Sequence, residues 1–117
     1  MQRMSDTERK VAEWIWANPG IGTMQLVNMC CANFGWKRST IFTLLKRMEE
    51  KGVLVKEESH FTMSIDRDAY YQDRIEDFLQ EYCQSSFPRL VEMYLKNNGI
   101  SKQEAGYVLN LVRTYTK

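Results

Sequence analysis

Apolar residues recur along this chain at helical spacing, then in short alternating runs, then at helical spacing again. Val11, Ala12, Trp14, Ile15 and Trp16 mark a first helix. Ser5-Asp6-Thr7-Glu8 ahead of them reads as a capping box, in which the Ser5 hydroxyl accepts a backbone N–H and Glu8 reaches back. Asn18-Pro19-Gly20 stops that helix. Leu26, Val27 and Cys30 fall on one side of a second helix, with Thr23 as its cap and Asn33-Phe34-Gly35 as its end. The stretch WKRSTIFTLLKRMEEKG, residues 36–52, places Ile41, Leu44, Leu45 and Met48 at i, i+3, i+4 and i+7. That is one buried face of a third helix, closed by Gly52.

The period then changes. Residues 53–56 and 61–65 read as short strands around the polar tip Glu57-Glu58-Ser59-His60. Three helices followed by a two-stranded hairpin predict a winged helix-turn-helix. Past Asp66, an N-cap, the spacing is helical again. Tyr71, Ile75, Phe78, Leu79 and Tyr82 form one stripe. Phe87, Leu90, Val91, Tyr94 and Leu95 form a second, opened by Pro88 and broken by Asn97-Asn98-Gly99. Ser101 and Glu104 make another capping box, leading into Ala105, Val108, Leu109 and Val112. Three amphipathic helices in only about fifty residues are too few to close a core alone, so their expected partner is a second copy. The predicted architecture is mainly α with a small β-wing: a winged-helix DNA-binding domain over 1–65 and a helical dimerisation domain over 66–117.

Composition narrows the function. With 44% hydrophobic and 26% charged residues, the 117-residue chain has the make-up of an ordinary globule. A net charge of +1 supplies no basic field over the whole molecule, so nucleic acid has to be held by local patches. Residues 1–65 carry nine Lys/Arg against seven Asp/Glu, and residues 66–117 seven against eight, a mild contrast of +2 and −1. No apolar run reaches the roughly 20 residues that span a bilayer, and MQRMSDTERK lacks the apolar core of a signal peptide. Cys30, Cys31 and Cys83 are an odd, unspaced set that fits a reducing cytoplasm better than a disulfide framework.

The third helix is where charge concentrates. Lys37, Arg38, Lys46 and Arg47 occur with no acid until Glu49. At about 100° per residue, the side opposite the apolar stripe carries Ser39, Thr43, Lys46 and Arg47, with Thr40 at its margin. A major groove admits one helix and presents base edges to hydrogen-bonding side chains. The flanking phosphates take Lys, Arg and hydroxyls. Ser39, Thr40, Thr43 and Arg47 are therefore the candidate base-reading residues; Lys37, Arg38 and Lys46, with Lys56 and His60 on the hairpin, are the candidate phosphate contacts. Glu49, Glu50, Glu57 and Glu58 oppose full insertion, so the N-terminal half of the helix is the part expected to enter the groove.

The run Trp36-x-x-x-Thr40-Ile41-x-Thr43-Leu44-Leu45-x-Arg47-Met48-x-x-Lys51-Gly52 resembles the recognition-helix signature of the BlaI/MecI/CopY repressors, W-S-P-K-T-[IV]-x-T-L-x-x-R-L-x-x-K-G. Ser5 through Trp16 is similar to that family's first helix, and Leu90-Val91 through Ser101-x-x-Glu104 to its dimerisation segment. The resemblance spans most of the chain and is most specific in the third helix. It implies a homodimeric winged-helix repressor that occupies a dyad-symmetric operator and blocks transcription. By position it assigns Thr40, Thr43 and Arg47 to the groove and puts Ser39 in the place of a Lys. Lys37-Arg38-Ser39 stands where the family has Ser-Pro-Lys, which sets the start of this helix apart. The expected dimer contacts are Phe78, Leu79, Tyr82, Phe87, Leu90, Val91, Tyr94, Leu95, Val108, Leu109 and Val112. Two other readings are a ligand- or metal-sensing winged-helix regulator, with Tyr70, Tyr71 and Tyr82 as pocket residues, and a winged-helix protein-interaction module without DNA binding.

Enzymatic, metal and cofactor chemistry is not expected. Copper-responsive members of the family carry paired Cys-x-Cys motifs near the C-terminus, whereas this chain ends LVRTYTK. Cys30 and Cys31 diverge by about 100° around a helix, a poor start for a chelate. With His60 as the one histidine, no Ser/His/Asp or Cys/His grouping arises. The resemblance also implies an inactivating partner, since beta-lactam-responsive members are cut by a sensor protease at an Asn-Phe bond. The matching pair here is Met93-Tyr94. This chain is accordingly expected to resist Asn-Phe-directed cleavage; incubation with such a protease followed by mass analysis checks it, and a clean cut at that bond overturns it.

Overall fold

The computed structural model describes residues 2–117, six helices and three short strands. The chain divides between Arg74 and Ile75 into two compact units.

The amino-terminal unit opens with α1 (Asp6–Ala17). Both halves of its capping box form: the Ser5 hydroxyl accepts from the Glu8 amide at 3.2 Å, and the Glu8 carboxylate accepts from the Ser5 amide at 2.7 Å. Strand β1 (Ile21–Gly22) leads into α2 (Thr23–Phe34), which ends at Gly35 with φ +67°, a left-handed turn that glycine adopts without strain. Helix α3 (Arg38–Glu50) follows, then the hairpin β2 (Leu54–Glu57) and β3 (His60–Met63). Val11, Ala12 and Ile15 of α1, Leu26, Val27 and Cys30 of α2, and Ile41, Leu44, Leu45 and Met48 of α3 meet in one core, closed from the wing side by Val53, Leu54 and Phe61. The apolar stripes expected of the first three helices supply this core, with Trp14 and Trp16 of α1 only partly buried against it.

Two local readings need correction. Thr23 does not cap α2: Gly22 occupies that position, and the Thr23 hydroxyl donates instead to the Ser59 carbonyl at 3.1 Å, which the Thr23 amide also reaches at 2.8 Å. The helix thus holds the tip of the hairpin rather than its own first turn. The wing is also three-stranded, in the order β1-β3-β2, with Ile21 opposite Phe61. Its turn is tighter than expected, with Glu57 and His60 paired in the ladder and the turn made by Glu58 and Ser59.

Helix α4 (Arg67–Tyr82) starts within the same unit, capped by Asp66, whose carboxylate accepts from the Ala69 amide at 3.2 Å. The Tyr70 hydroxyl, fully buried, accepts from the Met4 amide at 2.8 Å, and the Trp16 indole donates to the Ile65 carbonyl at 2.9 Å. Arg67 donates to Glu13 at 2.9 and 3.1 Å, and the Tyr71 hydroxyl donates to the same carboxylate. These bonds, all onto α1 and its flanks, keep the beginning of α4 with the wing, which is why the division falls after Arg74 and not at residue 65. Tyr70 and Tyr71 are therefore packing residues of this unit.

The carboxy-terminal unit holds the rest of α4, α5 (Phe87–Asn98) and α6 (Lys102–Tyr115). Ser86 and Ser101 cap the last two helices through the amides of Arg89 and Glu104. Among the described residues of this unit, Cys83 alone is buried. No helix among the described residues is long and apolar enough to cross a membrane.

One ionic contact ties the ends of α1 and α3 together. Lys51, the C-cap of α3, donates to the fully buried Glu8 carboxylate at 2.6 Å and to the Arg3 carbonyl at 3.3 Å. Burial raises the Glu8 pKa, but the hydrogen bonds from Lys51 and Ser5 outweigh it and hold the carboxyl below its usual range. The hydrogen bond from Arg67 lowers Glu13 in the same sense. Both groups have folded pKa values below their unfolded ones. The stability they contribute is thus present above the unfolded pKa, roughly 4.3, and is lost as pH falls through the lowered folded values. Lys51→Ala leaves a buried charge unpaired and is expected to destabilise the amino-terminal unit by about 3 kcal/mol, the low end for such a break because Lys51 reaches solvent. Urea unfolding at pH 7 and pH 4 checks it; equal midpoints for wild type and variant at pH 7 overturn it.

Candidate nucleic-acid interface

Helix α3 is mounted by its buried stripe and presents the opposite side outward. Ser39, Thr43 and Lys46 are exposed on that side, with Thr40 and Arg47 along one flank and Arg38 and Phe42 along the other. Lys37 is the N-cap, with extended backbone and no side-chain capping bond, so the first-turn amides of α3 are not capped by a side chain. The turn before it is stiffened by a row of rings: Trp14 lies 5.4 Å from Phe34, and Phe34 lies 5.2 Å from Trp36. Gly35 and this row together fix the direction in which α3 leaves α2.

The expected base-reading residues are not equivalent. Thr40, Thr43 and Arg47 line one cleft of about 330 Å³ together with Ser5 and Thr7 at the start of α1, Trp36 and Leu44. Ser39 is exposed but is not among its walls. The Thr43 hydroxyl donates to the Ser39 carbonyl at 2.9 Å, so its proton is committed to the helix. What Thr43 has left for a ligand is oxygen lone pairs and a methyl group.

The expected phosphate contacts also separate. Lys37 and Lys46 are exposed on α3. Arg38 instead turns toward α2, donating to the Asn28 carboxamide at 2.9 Å and lying 3.9 Å from the Met24 sulfur. In the wing, Lys56 stands opposite Phe61 on the inner face, its ammonium 5.8 Å from the ring centre. His60 stands opposite Glu57 on the outer face, and with Glu58, Gly20 and Thr62 these two frame a shallow concavity. Carboxylates on that side make the wing a weaker anion platform than α3.

Three residues at this surface escaped the sequence reading. Asn28 and Thr7 lie on other helices, and their approach to α3 is a tertiary fact with no local signal. Phe42 did have one: it is an apolar residue off the buried stripe of an otherwise regular amphipathic helix, and it is 42% exposed.

The family model described as penicillinase repressor matches residues 4–113, nearly the whole chain. The penicillinase repressor of Bacillus licheniformis is 24% identical over 117 residues, covering 97% of this chain and 91% of that one.

Proposed function

This chain belongs to the penicillinase repressor family, a family of transcriptional repressors, and we propose that it binds duplex DNA as a homodimer and represses by occupying a dyad-symmetric operator. The observation that carries this reading is the face of α3: hydroxyls and cations on a helix held rigid by four buried residues, with no acid before Glu49. Ser39, Thr40, Thr43 and Arg47 read base edges, while Lys37 and Lys46 neutralise phosphates along the groove walls. Arg38, held by Asn28, reaches the backbone beside the start of α2. Lys56 and His60 contact phosphate only weakly, offset by Glu57 and Glu58. Two copies related by a dyad present two α3 helices to successive major-groove faces, about 34 Å or a multiple apart.

The dimer is supported by the apolar side chains that one copy leaves uncovered. Phe78, Tyr82, Phe87, Tyr94, Leu95, Val108, Leu109 and Val112 are all exposed, and Leu79, Leu90 and Val91 are half-buried. Burying two such faces against each other would take out of water a contiguous run of apolar side chains of the kind that marks an interaction surface.

Binding titrations across a salt series, on the operator and on a scrambled duplex, separate reading from charge. Thr43→Ala and Arg47→Ala are expected to cost about 1–3 kcal/mol on the operator and to lower its preference over scrambled DNA. Lys37→Ala and Lys46→Ala are expected to weaken both duplexes alike and to reduce the salt slope by roughly one unit. Uniform loss for all four variants on both duplexes makes α3 an electrostatic anchor and overturns base reading.

A dimerisation test is cleanest at a residue that one copy does not use for its own packing. Leu109 is 55% exposed, so Leu109→Asp leaves the helix intact while placing a charge in the expected interface. The variant is expected to sediment as a monomer and to bind a two-half-site operator about 100-fold more weakly, the loss of linkage between sites. Unchanged sedimentation and affinity overturn the assignment.

A further inference from the structure

We infer that Phe42 determines sequence specificity, placing its ring against the C5-methyl group of a thymine in the major groove. This inference rests on the repressor reading above and deepens it. Phe42 points off the buried stripe of α3 and keeps 42% of its surface in solvent. One turn to either side on the same ridge stand the cations Arg38 and Lys46. An apolar ring set between cations matches a groove edge in which a methyl group lies between phosphate walls. It does not match the same face of a second copy, which would bring Lys37, Arg38, Lys46 and Arg47 against their own kind. Among the four bases, only thymine shows a methyl group in the major groove. A phenyl ring has no donor or acceptor with which to satisfy the amino group of cytosine or adenine, so those bases would lose water beside it without a partner.

The neighbouring residue reinforces this choice. With its hydroxyl proton given to the Ser39 carbonyl, Thr43, the next residue along the exposed side, has a methyl group to offer as well. Arg38 is drawn toward Asn28 on α2, which removes the long side chain one turn back from competing for the same base edge. The outward turn of α3 therefore offers two adjacent apolar contacts between the donors Ser39 and Lys46.

The test uses the full chain and duplexes that it selects from a random pool. Each thymine of the selected site is replaced singly by uracil, which lacks only the methyl group. Wild type is expected to lose about fourfold at one or two positions, the effect of exposing one methyl-sized group. Phe42→Ala is expected to bind the thymine and uracil forms of one of those positions equally, and Phe42→Leu to keep part of the difference. Because Phe42 is not a core residue, circular dichroism is expected to be unchanged in both variants. If wild type binds selected DNA but ignores every uracil replacement, or if Phe42→Ala discriminates as wild type does, this inference falls and the repressor reading stands. If Phe42→Ala changes the sedimentation of the free protein, the ring serves self-association and the inference falls. If wild type selects no sequence at all, the repressor reading falls with it.

Discussion

The amino-terminal unit is organised around a single buried charge. Glu8 completes the capping box of α1 and at the same time receives Lys51 from the far end of α3, so one carboxylate fixes where one helix starts and where another stops. Its second oxygen has no hydrogen-bond partner among the described residues. A buried pair of this kind adds little net stability over an apolar substitute, whereas half a pair is costly. Its effect is on register: α3 cannot slide or rotate against α1 without stranding the charge. The contact lies at the end of α3 remote from Lys37, Arg38 and Ser39, so none of the candidate DNA-contacting side chains is consumed in holding the helix.

Much of this was legible because local signals were strong and agreed with the packing. The stripes of α1, α2 and α3 became the core, and Ser5, Gly35, Asp66, Ser101 and Gly99 ended or began helices where their chemistry places them. What escaped was made by long-range pairing. Ile21 and Gly22 are too few to show alternation, and they count as a strand only because β3 lies alongside. Tyr70 sits beside Tyr71 in sequence, and nothing local tells which of the two is buried. The choice is made by the Met4 amide, sixty-six positions away.

The candidate site divides in the same manner. Rotation about a helix axis was enough to group Thr40, Thr43 and Arg47, and they do share a cleft. Rotation says nothing about where a long side chain ends. Arg38 belongs by angle to the margin of the exposed face, yet one arm of its guanidinium is held by Asn28 on the preceding helix. Thr43 belongs to the face as well, but its hydroxyl is partly spent on its own backbone. Hydrogen bonds formed within the protein thus decide which polar atoms remain available, and those bonds join residues of different helices as well as near ones in the chain.

The two units differ in how they reach stability. The first closes a core within one chain. In the second, Cys83 is the one described side chain taken fully out of water, and the apolar stripes of its helices stay largely exposed in one copy. In the proposed dimer, folding of this unit and pairing with a second copy become one equilibrium, and its stability then depends on protein concentration. Halving the number of copies in a cell would remove more than half of the paired species. For such a dimer the dose response approaches second order wherever pairing is incomplete, so occupancy of a target would fall more steeply on dilution than for a single folded chain.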